Sequence, residues 1–194
     1  MRARDNPFRS ERVLAVRYRL EAGTWEDLLA RFDALGRRAA IVGARGSGKT
    51  TLLEDLAPRF RERGYRVRDL RLDAESPRFA EGVLAEVFAT LTARDLILVD
   101  GAEQLGWRAW SSFERRSRPA GGLLVTQHRP GRLPTLLETR TSPQLLDGLV
   151  GQILGDGAAS VRGLTPRIFL KHRGNLRDAL RELYDHYAAR ETPG

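Results

Sequence analysis

Residues 43–50 read Gly-Ala-Arg-Gly-Ser-Gly-Lys-Thr, and no other stretch of the chain restricts its fold as tightly. They satisfy G-x-x-x-x-G-K-[ST] at every defined position, with the apolar run 39–42 before them and Leu52, Leu53, Leu56 and Phe60 at helical spacing after them. A buried strand, a glycine-rich turn and an amphipathic helix in that order aim consecutive backbone N–H groups and the positive end of a helix dipole at one point, where a phosphate belongs. Such a match arises by chance in fewer than about one chain in a hundred of this length. Of 33 basic residues only Lys49 and Lys171 are lysines. A chain that otherwise uses arginine thus keeps a compact ammonium where a planar guanidinium would not serve as a point charge. Gly43, Ala44, Arg45, Gly46, Ser47, Gly48, Lys49, Thr50 and Thr51 are the expected polyphosphate cradle. Lys49 is expected on the terminal phosphates and the Thr50 hydroxyl on Mg2+, with Thr51 as its substitute.

Around this loop, helical and strand-like segments alternate. Thr24 and Asp27 form a capping-box pair ahead of Trp25, Leu28, Leu29 and Phe32, which predicts a helix ending near Gly36. Residues 65–72, 96–99 and 122–125 read as further strands, with helices expected over about 77–91 and around 107–113. Continuous apolar runs separated by helices indicate a mostly parallel sheet covered on both faces. After Arg129 the pattern turns helical. Ser142-Pro143 opens a helix to about Leu154 that Gly155-Asp156-Gly157 breaks, Thr165-Pro166 opens another, and Asn175 caps a last one with Leu176, Leu180, Leu183, Tyr184 and Tyr187 on one face. The segment around Val13 and Ala15 has no clear assignment. The predicted architecture is an α/β P-loop NTPase core, a mostly parallel sheet flanked by helices, with a small C-terminal helical lid. Residues 1–36 are expected as an N-terminal extension packing on the core, 37–138 as the core and 139–194 as the lid.

Composition narrows the setting. About 80 apolar side chains suffice for a core. The absence of cysteine excludes disulfides and a Cys-zinc site, and no apolar run approaches the roughly 18 residues a bilayer requires. The opening residues lack the apolar stretch of a secretory signal, so the expected compartment is the cytoplasm. The net charge of +8 concentrates in two stretches, 59–71 with six arginines against two acids and 108–118 with four against one. Either is a solvated surface or a site for a polyanion such as DNA, and neither shows the interleaved aromatics of a single-strand stacking platform. Trp107 and Trp110, three apart on one helical face, are packing residues or a partner's anchor.

A second acidic element follows at Asp100, which ends the apolar run 96–99 at 51 positions beyond Lys49. A carboxylate at the carboxyl end of a strand lies where open α/β sheets place ligands, and there it would hold the Mg2+ shell. With Glu103 three residues on, the polar strand end Thr126-Gln127-His128 and the helical tail, the chain over about 36–190 resembles the AAA+ and STAND group of P-loop ATPases, particularly origin-recognition-like and transposition-type modules. Many members of that group carry Glu directly after the strand-ending Asp; here Gly101 occupies that place. The resemblance implies that Glu103 orients the attacking water and that Thr126 senses the γ-phosphate. His128 reads better as a hydrogen-bonded structural residue than as a base. Gly174-Asn175-Leu176-Arg177 resembles the lid signature that delivers a second sensor, Arg177, while Arg129 and Arg132 fall where a finger acting on a neighbouring subunit would lie. The functional expectation is an ATP- and Mg2+-binding ATPase or nucleotide switch, with ATP favoured because no Asn-Lys-x-Asp guanine-reading segment occurs. Its expected partners are ATP and ADP, DNA, a second copy of itself or an effector protein. A small-molecule kinase and a non-hydrolysing nucleotide-binding module are the alternatives.

Overall fold

The computed structural model describes residues 6–8, 16–75, 77–79, 82–155, 161 and 163–190. Its contacts divide the chain into two compact units. The larger comprises Arg19–Gly43 and Lys49–Thr139, and the other Met1–Tyr18, Ala44–Gly48 and Arg140–Gly194. Of the stretch 1–36, expected as one extension, the described residues 6–8 and 16–18 fall in the second unit and 19–36 in the larger.

In the larger unit, α1 (Trp25–Ala34) begins at the anticipated capping box, with the Thr24 hydroxyl accepting from the Asp27 amide at 3.1 Å and the Asp27 carboxylate accepting from the Thr24 amide at 2.9 Å. Five strands follow: β1 (Arg38–Gly43), β2 (Arg66–Arg71), β3 (Asp95–Asp100), β4 (Gly122–Gln127) and β5 (Thr135–Thr139). They form one parallel sheet in the order β2-β3-β4-β1-β5. β1, β3 and β4 are almost wholly buried, which is why they read as unbroken apolar runs. Their carboxyl ends, at Gly43, Asp100 and Gln127, come to one edge, where such sheets bind ligands. The helices are α2 (Lys49–Glu62), α3 (Val83–Ala89) and α4 (Trp107–Arg116). Phe32 of α1 meets Phe60 of α2 at 5.1 Å between ring centres, while Trp110 and Phe113 of α4 join a cluster with Ile97, Val99, Leu123 and Val125 of the sheet.

Two elements depart from expectation. The helix expected over 77–91 is the seven-residue α3; Gly82 precedes it, and Ala80 and Glu81 lie outside the described residues. Its apolar residues Leu84, Val87 and Phe88 are only partly buried against the cluster. The fifth strand falls where the sequence turns irregular. It is short, carries one apolar pair, and joins β1 with a register shift between Ala40 and Ile41, so its periodicity is too brief to stand out.

The other unit holds α5 (Pro143–Leu154), α6 (Thr165–Lys171) and α7 (Leu176–Arg190). Ser142 caps α5 through its hydroxyl, which accepts from the Leu145 amide at 3.0 Å, and Pro143 takes the first turn as expected. Leu146, Val150, Ile168, Leu176, Leu180 and Leu183 pack together, with Phe8 5.3 Å from the Tyr187 ring. The expected break at Asp156 and Gly157, and Val13 and Ala15, lie outside the described residues.

At the start of β3, Asp95 is fully buried. Burial alone would raise its carboxyl pKa, but hydrogen bonds from Arg68 at 2.8 Å and from the Thr92 hydroxyl and amide at 2.7 and 2.8 Å, with Arg66 at 3.3 Å, hold it below the ordinary value. A depressed folded pKa stabilises the protein above the unfolded value of about 3.9, and that contribution is lost as pH falls through the folded value. Asp95→Asn is therefore expected to unfold at lower urea concentration at neutral pH, and to lose less stability than the parent between about pH 5 and pH 2, as urea titrations across that range will measure.

Candidate active site

In the loop after β1, position 46 leaves no room for a side chain. Gly46 has φ +74°, and a Cβ there would fall 1.9 Å from Asn175 Oδ1. The Leu176 amide donates to the Gly46 carbonyl at 3.2 Å, so the first turn of α7 abuts the loop. Asn175 is the cap of that helix as expected, accepting from the Asp178 amide at 3.2 Å. Arg177 occupies the same turn and is exposed. At the other end of the loop, Lys49 is buried, and its ammonium donates to the Gly43 carbonyl at 2.9 Å, turned back along the loop. Arg45 is exposed, Ser47 buried, and Thr51 partly buried on α2 beside Thr50.

Asp100 ties three elements together. Its Oδ2 accepts from the Thr50 hydroxyl at 2.9 Å and its Oδ1 from the Thr126 hydroxyl at 2.6 Å, while Arg71 Nε lies 3.7 Å away. Thr126 in turn accepts from the Gly101 amide at 2.8 Å. A hydroxyl and a carboxylate in contact are the hard oxygen pair that Mg2+ favours. No group of three His, Cys, Asp or Glu side chains able to hold a metal occurs among the described residues. The Thr126 hydroxyl thus donates to Asp100 and accepts from the Gly101 amide, an arrangement that orients the carboxylate.

The glycine at 101 has a steric cause. With φ +83°, its Cβ would stand 2.1 Å from the Leu72 carbonyl oxygen, so no Glu fits directly after Asp100. The chain turns there into a short 3-10 segment, Ala102–Gln104, that carries Glu103. Glu103 Oε1 lies 3.1 Å from His128 Nε2, while Oε2 is buried without a hydrogen-bond partner. Glu103, Gln127, His128 and the 129–132 loop line a cleft of about 280 Å3. Gln127 is buried with both amide atoms unpaired, the mark of a group awaiting a ligand or water. No motif distinguishes it in the sequence, and only burial at the end of β4 does so. Arg132 donates to the carbonyls of Ala102 and Leu105 and lies over the Trp110 ring, so it braces the Glu103 turn within its own chain. Desolvation lowers its pKa against the opposing pull of Glu103. Arg129 is exposed.

Comparison with known proteins bears on the fold. No protein-family profile matches the chain. Domain III of the Thermotoga maritima replication initiation protein DnaA superposes with a TM-score of 0.58 at 14% identity, over 91% of this chain and 90% of that one. A single-substitution variant of Thermotoga maritima RuvB gives 0.50 at 18% identity, over 80% of this chain and 58% of the other. The chain has an AAA+ P-loop ATPase-like fold. In sequence, 77 residues are 40% identical to ribose 1,5-bisphosphate phosphokinase PhnN of Pseudomonas fluorescens (strain SBW25), covering 38% of this chain and 37% of that protein. The chain thus matches little more than a third of this curated relative's length. No helix among the described residues is long and apolar enough to cross a membrane.

Thr126→Val would leave the Gly101 amide without its acceptor and Asp100 short of a donor. The substitution is expected to lower the unfolding free energy by about 1–3 kcal/mol, whereas Thr126→Ser should retain most of it, by urea denaturation.

Proposed function

We propose that the protein binds ATP with Mg2+ and hydrolyses it as a nucleotide-controlled conformational switch. The observation that carries this reading is the joined hydrogen bonding of Thr50, Asp100 and Thr126 directly after a loop whose Gly46 admits no side chain. In this reading the loop amides and Lys49 hold the phosphates, and Thr50 and Asp100 hold Mg2+, which neutralises phosphate charge when bound. Thr126 fixes the Asp100 carboxylate. Glu103 orients the attacking water, its turn held by Arg132, and Gln127 offers the neighbouring amide. Arg177, in the first turn of α7 beside the loop, is assigned to the γ-phosphate. Self-association through Arg129 and an effector partner extend the same proposal.

A kinase is the second reading, favoured by the 77-residue similarity to a ribose 1,5-bisphosphate phosphokinase. The two separate on turnover, since a switch ATPase releases phosphate without an added acceptor and a kinase does not.

Calorimetry with Mg2+ and ATP should give a binding isotherm for the parent protein and none for Lys49→Ala. Glu103→Gln should bind as the parent does while losing about 10²-fold or more of its phosphate release. Loss of binding together with turnover in Glu103→Gln would count against this assignment, and absence of heat with the folded parent would overturn the reading.

A further inference from the structure

The two arginine-rich stretches, alike in sequence, differ in the fold. In 59–71 every guanidinium has a partner. Arg59 lies 3.9 Å over Trp25, Arg61 pairs with Asp69 at 3.2 Å and Arg63 with Asp33 at 3.0 Å. Arg66 and Arg68 share Asp95, and Arg71 holds Glu54 at 2.8 Å. That stretch is matched by acids at five of its six arginines.

The stretch on α4 is not. Arg108, Arg115, Arg116 and Arg118 are all exposed, against the single acid Glu114. Arg38 already holds Glu114 at 3.3 Å, with Arg118 at 3.8 Å, and Arg116 lies over the Phe88 ring. Arg108, Ser111, Ser112 and Arg115 fall at i, i+3, i+4 and i+7, so they form one exposed cationic and hydroxyl-bearing stripe. The helix dipole accounts for cations in the last turn, but it disfavours Arg108 in the first, where no acid offsets it. Beside Arg108 stands Trp107, a residue 72% exposed, whereas Trp110 and Phe113 are buried. Core packing therefore explains Trp110 and leaves Trp107, among the described residues, without a partner except the Arg108 guanidinium, 5.3 Å from its ring.

We propose that the outward face of α4 binds single-stranded nucleic acid, with Arg108, Arg115 and Arg118 on phosphates and Trp107 stacked on a base. Cations in excess of the local acids supply the attraction to a polyanion, and an exposed indole among them rewards a strand whose base faces are open, which a duplex conceals. The inference stands apart from the nucleotide reading, since no residue of the loop or of the Asp100 cluster enters it.

The test is fluorescence anisotropy of a labelled oligothymidylate of about 20 nucleotides at about 50 mM salt, with a blunt duplex of equal length beside it. The parent should retain the single strand in preference to the duplex. Trp107→Ala should weaken single-strand binding by about 5- to 150-fold and leave duplex binding unchanged. Arg108→Glu with Arg115→Glu should abolish retention, while Arg108→Ala with Arg115→Ala should reduce the slope of log affinity against log salt by about 1.4. Arg61→Ala, on the acid-matched stretch, should change nothing. Circular dichroism reports whether each variant is folded. No retention by the folded parent, equal affinity for duplex with no effect of Trp107→Ala, or equal competition by polyglutamate would each overturn the proposal.

Discussion

The carboxylate of Asp100 is the constraint on which the candidate site depends. Each of its oxygens accepts a hydroxyl proton, one from Thr50 at the start of α2 and one from Thr126 on β4, and the Gly101 amide closes back onto Thr126. Hydrogen bonds to an ionised acceptor are stronger than neutral ones, and here they join the strand that precedes the turn, its sheet neighbour and the helix after the phosphate loop. The register makes this possible: Val99 pairs with Val125, so Asp100 and Thr126 stand one step further along adjacent strands. A slip of one residue would send one of the two to the opposite face.

That arrangement also accounts for the position of the second acid. The backbone leaves β3 through Gly101 in the left-handed region, against the Leu72 carbonyl that follows β2. A side chain directly after Asp100 is sterically excluded, and the carboxylate appears only at Glu103, once the chain has turned. Arg132 holds that turn by its carbonyls, and His128 meets the carboxylate itself. Beside them, the amide of Gln127 and the second oxygen of Glu103 are buried without partners. Unsatisfied polar atoms are costly in a folded interior, and their concentration in one cleft marks where a polar ligand or water would be held.

Much of this was legible beforehand, and what was not has a physical cause. The capping box at Thr24, the Ser142 cap, the apolar strands and the face of α7 are local patterns that repeat within a few residues. The fifth strand escaped because its five residues carry one apolar pair, and α3 begins only after Gly82, whose φ of +84° lies outside the helical region. The role of Thr126 could not be read from its neighbours, since its partners are 25 and 26 residues away. The arginines of 59–71 and 108–118 could not be told apart either, because neutralisation depends on acids such as Asp33 and Asp95 that tertiary contact brings up.

The amino-acid sequence alone determined the phosphate loop and the alternation of strands and helices around it, because both are properties of contiguous residues: backbone freedom at glycine, one ammonium, and the period of apolar side chains. Only the tertiary structure decided which hydroxyls grip Asp100, why position 101 admits no carboxylate, and which arginines are left without an acid of their own. Those outcomes depend on strand order and register, which bring together residues far apart in the chain and are written in no single segment of it.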